Sequence, residues 1–376
     1  MKTQKLWILN NRNVCAVFLT VLLLIPGLLL AEEVKGESEN WKRKRKVVPF
    51  PVIFYSPETG VGLGAGGLYL VSPLPEAVVQ EPDTINAIGF YTMKNQILIA
   101  LQMDKYFVRS GNNLNFKAVV QKFPDKFWGI GPNTPDEAEE EYTPQEIAFI
   151  LGYQWRLSRK TYLGPAYGFS SIEIKEVEEG GLLDPGDIVG SDGTLVSALG
   201  MRFTVDDRDS SIYTRRGYLV DMGFMMASQY IGSAEDFIQM DFEYRQFFPL
   251  FHNHVLAFQY LLRLRTGTAP FQFLPRLGGQ YMMRGYYEGR YRDMDYTALQ
   301  GEYRLPLFWR LGGVVFGSVG KVGPDIPSLF SADYLRGTGG VGLRVLMDSE
   351  NNVNFRFDLA YNGKELAFYF NILEAF

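Results

Sequence analysis

The chain has two histidines, His252 and His254, spaced so that on a strand both rings project from one face and could share a metal ion. No third ligand stands near them, and the segment from Pro249 to His252 reads as a turn. A serine-type hydrolase needs a histidine beside a nucleophile, which this placement does not provide, so no catalytic or metal residue is assigned. Gly62, Gly64 and Gly67 satisfy a dinucleotide-binding spacing. The next residues, Leu68 to Pro75, read as a strand stopped by prolines, not as a helix whose N-terminus could hold a pyrophosphate, so no cofactor is expected. Small residues there would thin a sheet wall instead. Cys15 is the only cysteine, which excludes disulfides and thiolate metal clusters as the source of stability. A net charge of -5 argues against a nucleic-acid partner.

The elements that must carry any chemistry begin after an export signal. Lys2, Lys5 and Arg12 form a basic head, Val14 to Leu30 an uncharged apolar run, and Ala31 a cleavage position before Glu32 and Glu33, so residues 1–31 read as a signal peptide. A retained membrane anchor is the alternative reading of this run. Residues 32–47 form a short basic tail, with Trp41-Lys42-Arg43-Lys44-Arg45-Lys46 suited to anionic phosphates at the inner leaflet. A docking peptide for a periplasmic or outer-membrane assembly partner is the second reading of that tail.

From residue 48 onward the dominant signal is a period of two. Gln239, Asp241, Glu243 and Arg245 alternate with Ile238, Met240, Phe242 and Tyr244, and the same pattern recurs at Phe258–Arg265, Leu299–Leu305 and Asn354–Leu359. One face carries several charges and the other is almost purely apolar, which a wet lumen and a hydrocarbon exterior both explain. Turn signals divide the chain into strands near 48–56, 61–72, 84–94, 97–107, 112–123, 143–157, 161–176, 193–206, 215–229, 235–248, 252–266, 295–308, 310–322, 335–348, 353–362 and 364–376. The expected fold is all-β, a transmembrane antiparallel β-barrel of about sixteen strands, closed by pairing of the first and last. Even parity places both chain ends in the periplasm and the long connections 124–142, 177–192, 267–294 and 323–334 outside the cell. The partners are then outer-membrane lipids and lipopolysaccharide, whose bridging divalent ions the acidic run Asp136, Glu137, Glu139, Glu140 and Glu141 could bind. The last strand, read back by twos from Phe376 through Ile372, Phe370 and Phe368, resembles the carboxy-terminal recognition signal of bacterial outer-membrane proteins.

The long connection 267–294 contains Gly279-Gln280-Tyr281-Met282-Met283-Arg284-Gly285-Tyr286, and the next strand contains Gly301-Glu302-Tyr303-Arg304-Leu305-Pro306. Phe127-Trp128-Gly129-Ile130-Gly131, Asp206-Asp207-Arg208-Asp209 with Arg216-Gly217, Val315-Phe316 and Gly340-Val341-Gly342-Leu343-Arg344 complete a series running from Phe50 to Phe376. In order and spacing these segments resemble the barrel of the BamA/TamA, or bacterial surface antigen, family. The resemblance implies that the loop folds into the lumen, with Arg284, Gly285 and Tyr286 as its latch and Glu302 and Ser318 as lumen partners. Ser318 stands where the family usually has an aspartate, which weakens one half of that contact. POTRA domains are not expected in so short an amino-terminal segment. The implied function is outer-membrane protein or lipid insertion through a weakly paired seam, and not enzymatic. The rival readings are a passive pore for small solutes and a structural surface antigen without transport.

Overall fold

A computed structural model describes residues 43–211, 213–348 and 353–376. The signal peptide expected at 1–31 and the tail as far as Lys42 lie outside the described residues. Residues Arg45–Phe376 form one compact unit.

Sixteen strands build its wall: β1 Arg45–Ser56, β2 Gly60–Val71, β3 Asp83–Thr92, β4 Ile97–Tyr106, β5 Asn113–Lys122, β6 Glu140–Arg156, β7 Thr161–Val177 and β8 Gly193–Asp206. They continue with β9 Gly217–Ala227, β10 Phe237–Pro249, β11 Val255–Gly267, β12 Asp295–Pro306, β13 Leu311–Gly323, β14 Arg336–Asp348, β15 Val353–Tyr361 and β16 Leu366–Ile372. Each strand pairs antiparallel with its sequence neighbours, and β16 meets β1, so the sheet closes on itself. Arg45 and Lys46, read from the sequence as tail, begin β1. The last strand ends at Ile372, four residues short of the expected end.

Alternation along the strands sorts the side chains by face. Leu63, Ile99, Val315, Val341 and Phe368 are exposed on the outside, where a bilayer removes their contact with water. The inner face is not uniformly wet, as the sequence reading of the lumen supposed. From β10 round to β15 it carries Glu243, Arg245, Glu302, Arg304, Arg344, Arg356 and Asp358, but on β1 and the adjoining parts of β3 and β4 it carries Phe50, Val52, Phe54, Ile88, Phe90 and Leu98, with Asn86, Gln102 and Asp104 further along β3 and β4. The glycines of β2 explain how the rings fit. A Cβ on Gly62 would lie 2.3 Å from the Phe54 ring, and one on Gly66 2.4 Å from the Phe50 ring. The glycine run therefore makes room for rings lying against the inner wall and forms no phosphate loop.

Connections after odd-numbered strands share one end of the barrel and include the long segments 123–139, 178–192, 268–294 and 324–335. Connections after even-numbered strands form the opposite end, mostly short turns, with 72–82 and 207–216 the longer ones. Segment 268–294 begins with a 3-10 turn at Phe271–Phe273 and is pinched by a two-residue ribbon, Arg276–Leu277 against Tyr291–Arg292. It packs under 123–139 and 178–192 in a cluster of Phe127, Tyr142, Leu183, Phe271 and Leu274, each at most 4% exposed. That cluster caps the lumen at the long-loop end.

Candidate functional site

Arg284 sits at the inner tip of segment 268–294, fully buried. Its guanidinium reaches Glu302 of β12 at 2.5 Å and Asp358 of β15 at 2.6 Å, and lies 3.6 Å from the centre of the Phe316 ring on β13. Two charge-assisted bonds and a π face are what a desolvated guanidinium needs, since an unpaired buried charge is very costly. The carboxylates carry the network onward. Glu302 also accepts from Arg304 at 3.0 Å, Asp358 from Arg344 at 2.6 Å, and Arg344 in turn pairs with Glu374 at 2.7 Å.

Ser318 is not a partner of the arginine, which corrects the sequence reading. Its hydroxyl faces the lumen but bonds Thr338 Oγ1 at 2.6 Å, and the second carboxylate comes from Asp358, two strands further round the wall. Wall curvature turns the inner faces of β12 and β15, three strands apart, toward the same arginine, and Gly340 leaves room for the Phe316 ring, which a Cβ there would meet at 2.4 Å. Gly285 follows the arginine at φ +112, with Asn362 and Tyr361 only 3.4 Å from where a Cβ would stand. Its N–H donates to the Tyr369 hydroxyl of β16 at 2.9 Å, its carbonyl accepts from Asn362 Nδ2 at 2.9 Å, and the Tyr286 hydroxyl donates to the Asn362 carbonyl at 3.2 Å.

On its other flank the same segment touches the first hairpin. The Glu288 N–H donates to the Glu58 carboxylate at 3.1 Å, in the turn between β1 and β2. Burial pushes the Glu58 carboxyl above its ordinary range, against the lowering effect of the Ser56 and Glu288 hydrogen bonds. Residues 285–288 thus hold the last hairpin and the first hairpin at once.

Between those hairpins the ladder nearly vanishes. β1 pairs with β2 over its whole length, from Arg45 opposite Val71 to Ser56 opposite Gly60, whereas β1 meets β16 at one register pair, Tyr55 opposite Phe370. Backbone geometry accounts for this. Ser56 O accepts from Thr59 N in the hairpin turn, so even-numbered residues of β1 direct their main-chain groups to β2. The odd-numbered ones, Tyr55, Ile53, Pro51 and Pro49, face the seam, and the prolines have no N–H to offer there. From the other side β16 stops because Leu373 adopts φ +73 and turns the chain inward.

Phe368 and Phe370 remain on the outer face of β16 with Ile372, but Phe376 does not continue that stripe. It is 7% exposed inside the barrel, its ring 6.0 Å from Phe247 and its carbonyl accepting from Arg304 at 2.9 Å. The expected last strand running through Phe376 ends instead at Ile372, and the inward turn at Leu373 takes Phe376 off the stripe.

The remaining sequence candidates have ordinary partners. His254 Nδ1 lies 2.6 Å from the Tyr303 hydroxyl and His252 occupies a turn at φ +51. Within the acidic run, Asp136 binds Arg290 at 2.5 Å and Lys364 at 3.3 Å, Glu139 pairs with Lys126, and buried Glu140 accepts from the Leu182 and Leu183 N–H groups. Arg290 and Lys364 hold the Asp136 carboxyl below its ordinary range. Among the described residues no cluster of three His, Cys, Asp or Glu is arranged for a metal ion. Sequence reasoning missed Asp358, Tyr369, Glu58 and the prolines of β1. Alternate Pro49 and Pro51 on a first strand were a legible sign of an edge; the partners of the loop required the closed wall.

An antiparallel barrel with a loop arginine locked into its lumen defines a class, and comparison with known proteins places the chain within it. Residues 89–376 match the Omp85 superfamily domain, so the chain belongs to the Omp85 superfamily. Among solved structures it is similar to BamA from Haemophilus ducreyi lacking POTRA domains 1-3, at TM-score 0.61 and 12% identity, covering 88% of this chain and 70% of that one. It is also similar to CdiB from Acinetobacter baumannii, at TM-score 0.53 and 11% identity, covering 89% of this chain and 60% of that one. No curated protein sequence matches. The protein is a bacterial outer-membrane β-barrel.

Proposed function

We propose that this barrel inserts or translocates outer-membrane proteins or lipids by parting β1 from β16. The observation that carries the reading is the seam: one register pair, two prolines on one edge and an inward-turned chain on the other. An edge with so few hydrogen bonds separates at low cost, and the hydrocarbon outside then faces the lumen directly. In this reading residues 1–31 direct export, residues 32–47 lie on the periplasmic side against anionic phosphates or a partner protein, and the outer rim meets lipopolysaccharide. The role is transport and needs no catalytic residue.

Replacing Tyr55→Cys together with Phe370→Cys tests it. Directly opposed residues stand about 4.5–5.5 Å apart at Cα, within the span of a disulfide. Oxidised cells should show the outer-membrane protein and lipid profile of a deletion strain, restored by reductant. An unchanged profile and unchanged growth with the bridge fully formed would dismiss seam opening as the function.

A further inference from the structure

Beside the seam lies a cavity of about 760 Å³ whose lining includes residues of both seam strands. From β1 it takes lumen-facing Val52 and Phe54 together with outward-facing Ile53, and from β16 lumen-facing Asn371 together with outward-facing Ile372. Bordered by consecutive residues of these two strands, the space extends to the gap in the seam ladder. It opens on the short-turn side of the Tyr55–Phe370 pair, where the ladder has ended. Inside, it continues over Ile88, Phe90 and Leu98. Much of the polar lining is already satisfied within itself: Asn371 Nδ2 donates to Gln280 Oε1 at 2.6 Å, Arg276 pairs with Glu288 at 2.8 Å, and Gln121 donates to Glu146 at 2.6 Å. What remains to be covered is the apolar surface of Val52, Phe54, Ile88, Phe90 and Leu98 beside three unpartnered polar atoms, Asn86 Oδ1, Gln272 Oε1 and Arg292 Nε, and water covers the apolar part poorly.

Two kinds of occupant would suit a space joined to the bilayer, a stretch of polypeptide or a hydrocarbon chain. A polypeptide added at this edge must exchange main-chain hydrogen bonds with β1, and along the opening β1 presents Pro51 and Pro49, which cannot donate. Its peptide groups would enter an apolar space unpaired. A hydrocarbon chain has no such groups and stands at the opening already. We infer that this cavity binds an acyl chain of a bilayer lipid, which reaches it between β1 and β16. The inference rests on the proposed opening of the seam to the bilayer, and it names lipid, not polypeptide, as the cargo class at this place.

The test uses the full chain in phospholipid vesicles containing a phospholipid with a photoreactive diazirine on its acyl chain. After irradiation, peptide mapping should find adducts on lumen-facing Ile88 and Phe90. They should be lost in Ile88→Trp, or in Leu98→Trp if the first variant fails to assemble, and lost when Ile53→Cys and Ile372→Cys are joined by a thiol crosslinker. Adducts confined to outward residues such as Leu63 and Ile99 overturn the assignment. So does lumenal labelling by a diazirine fatty acid in detergent that vesicle phospholipid does not reproduce, and so does co-purified peptide filling the cavity. Missing adducts in a protein whose Tyr55–Phe370 disulfide still alters the membrane profile remove the lipid site and keep the insertion role. Lumenal adducts in a protein whose disulfide changes nothing in the cell remove the role instead.

Discussion

Replacing Arg284 by alanine removes the cation that bridges buried Glu302 and Asp358; Arg304 and Arg344 still pair with them, so the cost should fall below the roughly 3–5 kcal/mol of a buried charge left with no partner. Arg284→Ala should therefore lower the unfolding temperature of the detergent-solubilised barrel, read as loss of heat-modifiable migration. Arg284→Lys should recover little, because one ammonium cannot span both carboxylates and the Phe316 face. Ser318→Ala removes a neutral hydroxyl pair with Thr338 and should cost only about 0.5–1.5 kcal/mol, well below Asp358→Ala in the same assay. Glu58 supplies a pH dependence. Its carboxyl is raised in the folded state, so the folded state holds the proton more tightly; the favourable contribution is fully present below its unfolded pKa and lost as pH rises through the folded one. The unfolding temperature of the detergent-solubilised barrel should thus lose a contribution between about pH 4.5 and about pH 7 that Glu58→Gln does not lose, seen as a smaller change across that window in the variant.

At the scale of the strand, the two edges of β1 should behave differently. Val52 and Phe54 direct their N–H groups into the long ladder with β2, while Ile53 directs its own to the seam beyond the single pair at Tyr55. In nanodiscs the Ile53 amide should exchange faster than its two neighbours, and equal protection of all three would show that the seam is paired. The alternation that found the strands also placed their wet faces, because a period of two survives any tertiary arrangement. It did not place their ends. β16 stops at Ile372 because Leu373 turns at positive φ, a conformation that nothing in the apolar run Leu366–Ile372 announces.

For the molecule as a whole, the pore reading and the capped lumen make opposite demands. A sixteen-strand barrel is wide enough for an aqueous channel, but segments 123–139, 178–192 and 268–294 meet over its long-loop end in a buried aromatic cluster. The intact protein should give no steady large conductance in planar bilayers, and deleting residues 278–290 should produce it. Steady conductance in the intact chain, unaffected by Arg284→Ala, would favour the passive pore. What the linear chain determined alone was the class: alternation of charged and apolar side chains, punctuated by turns, is a local property that a bilayer converts into a closed barrel because no edge can stay unpaired there. The contact of Arg284 with Glu302 was also legible, through a motif with fixed spacing. Which residue completes the pair, where the seam weakens and which part of the inner wall stays apolar were decided only by closure. Closure sets Asp358 opposite Arg284 across 74 positions of sequence and lays Pro51 along the gap left by β16, and such distances follow from curvature and register that no local pattern encodes.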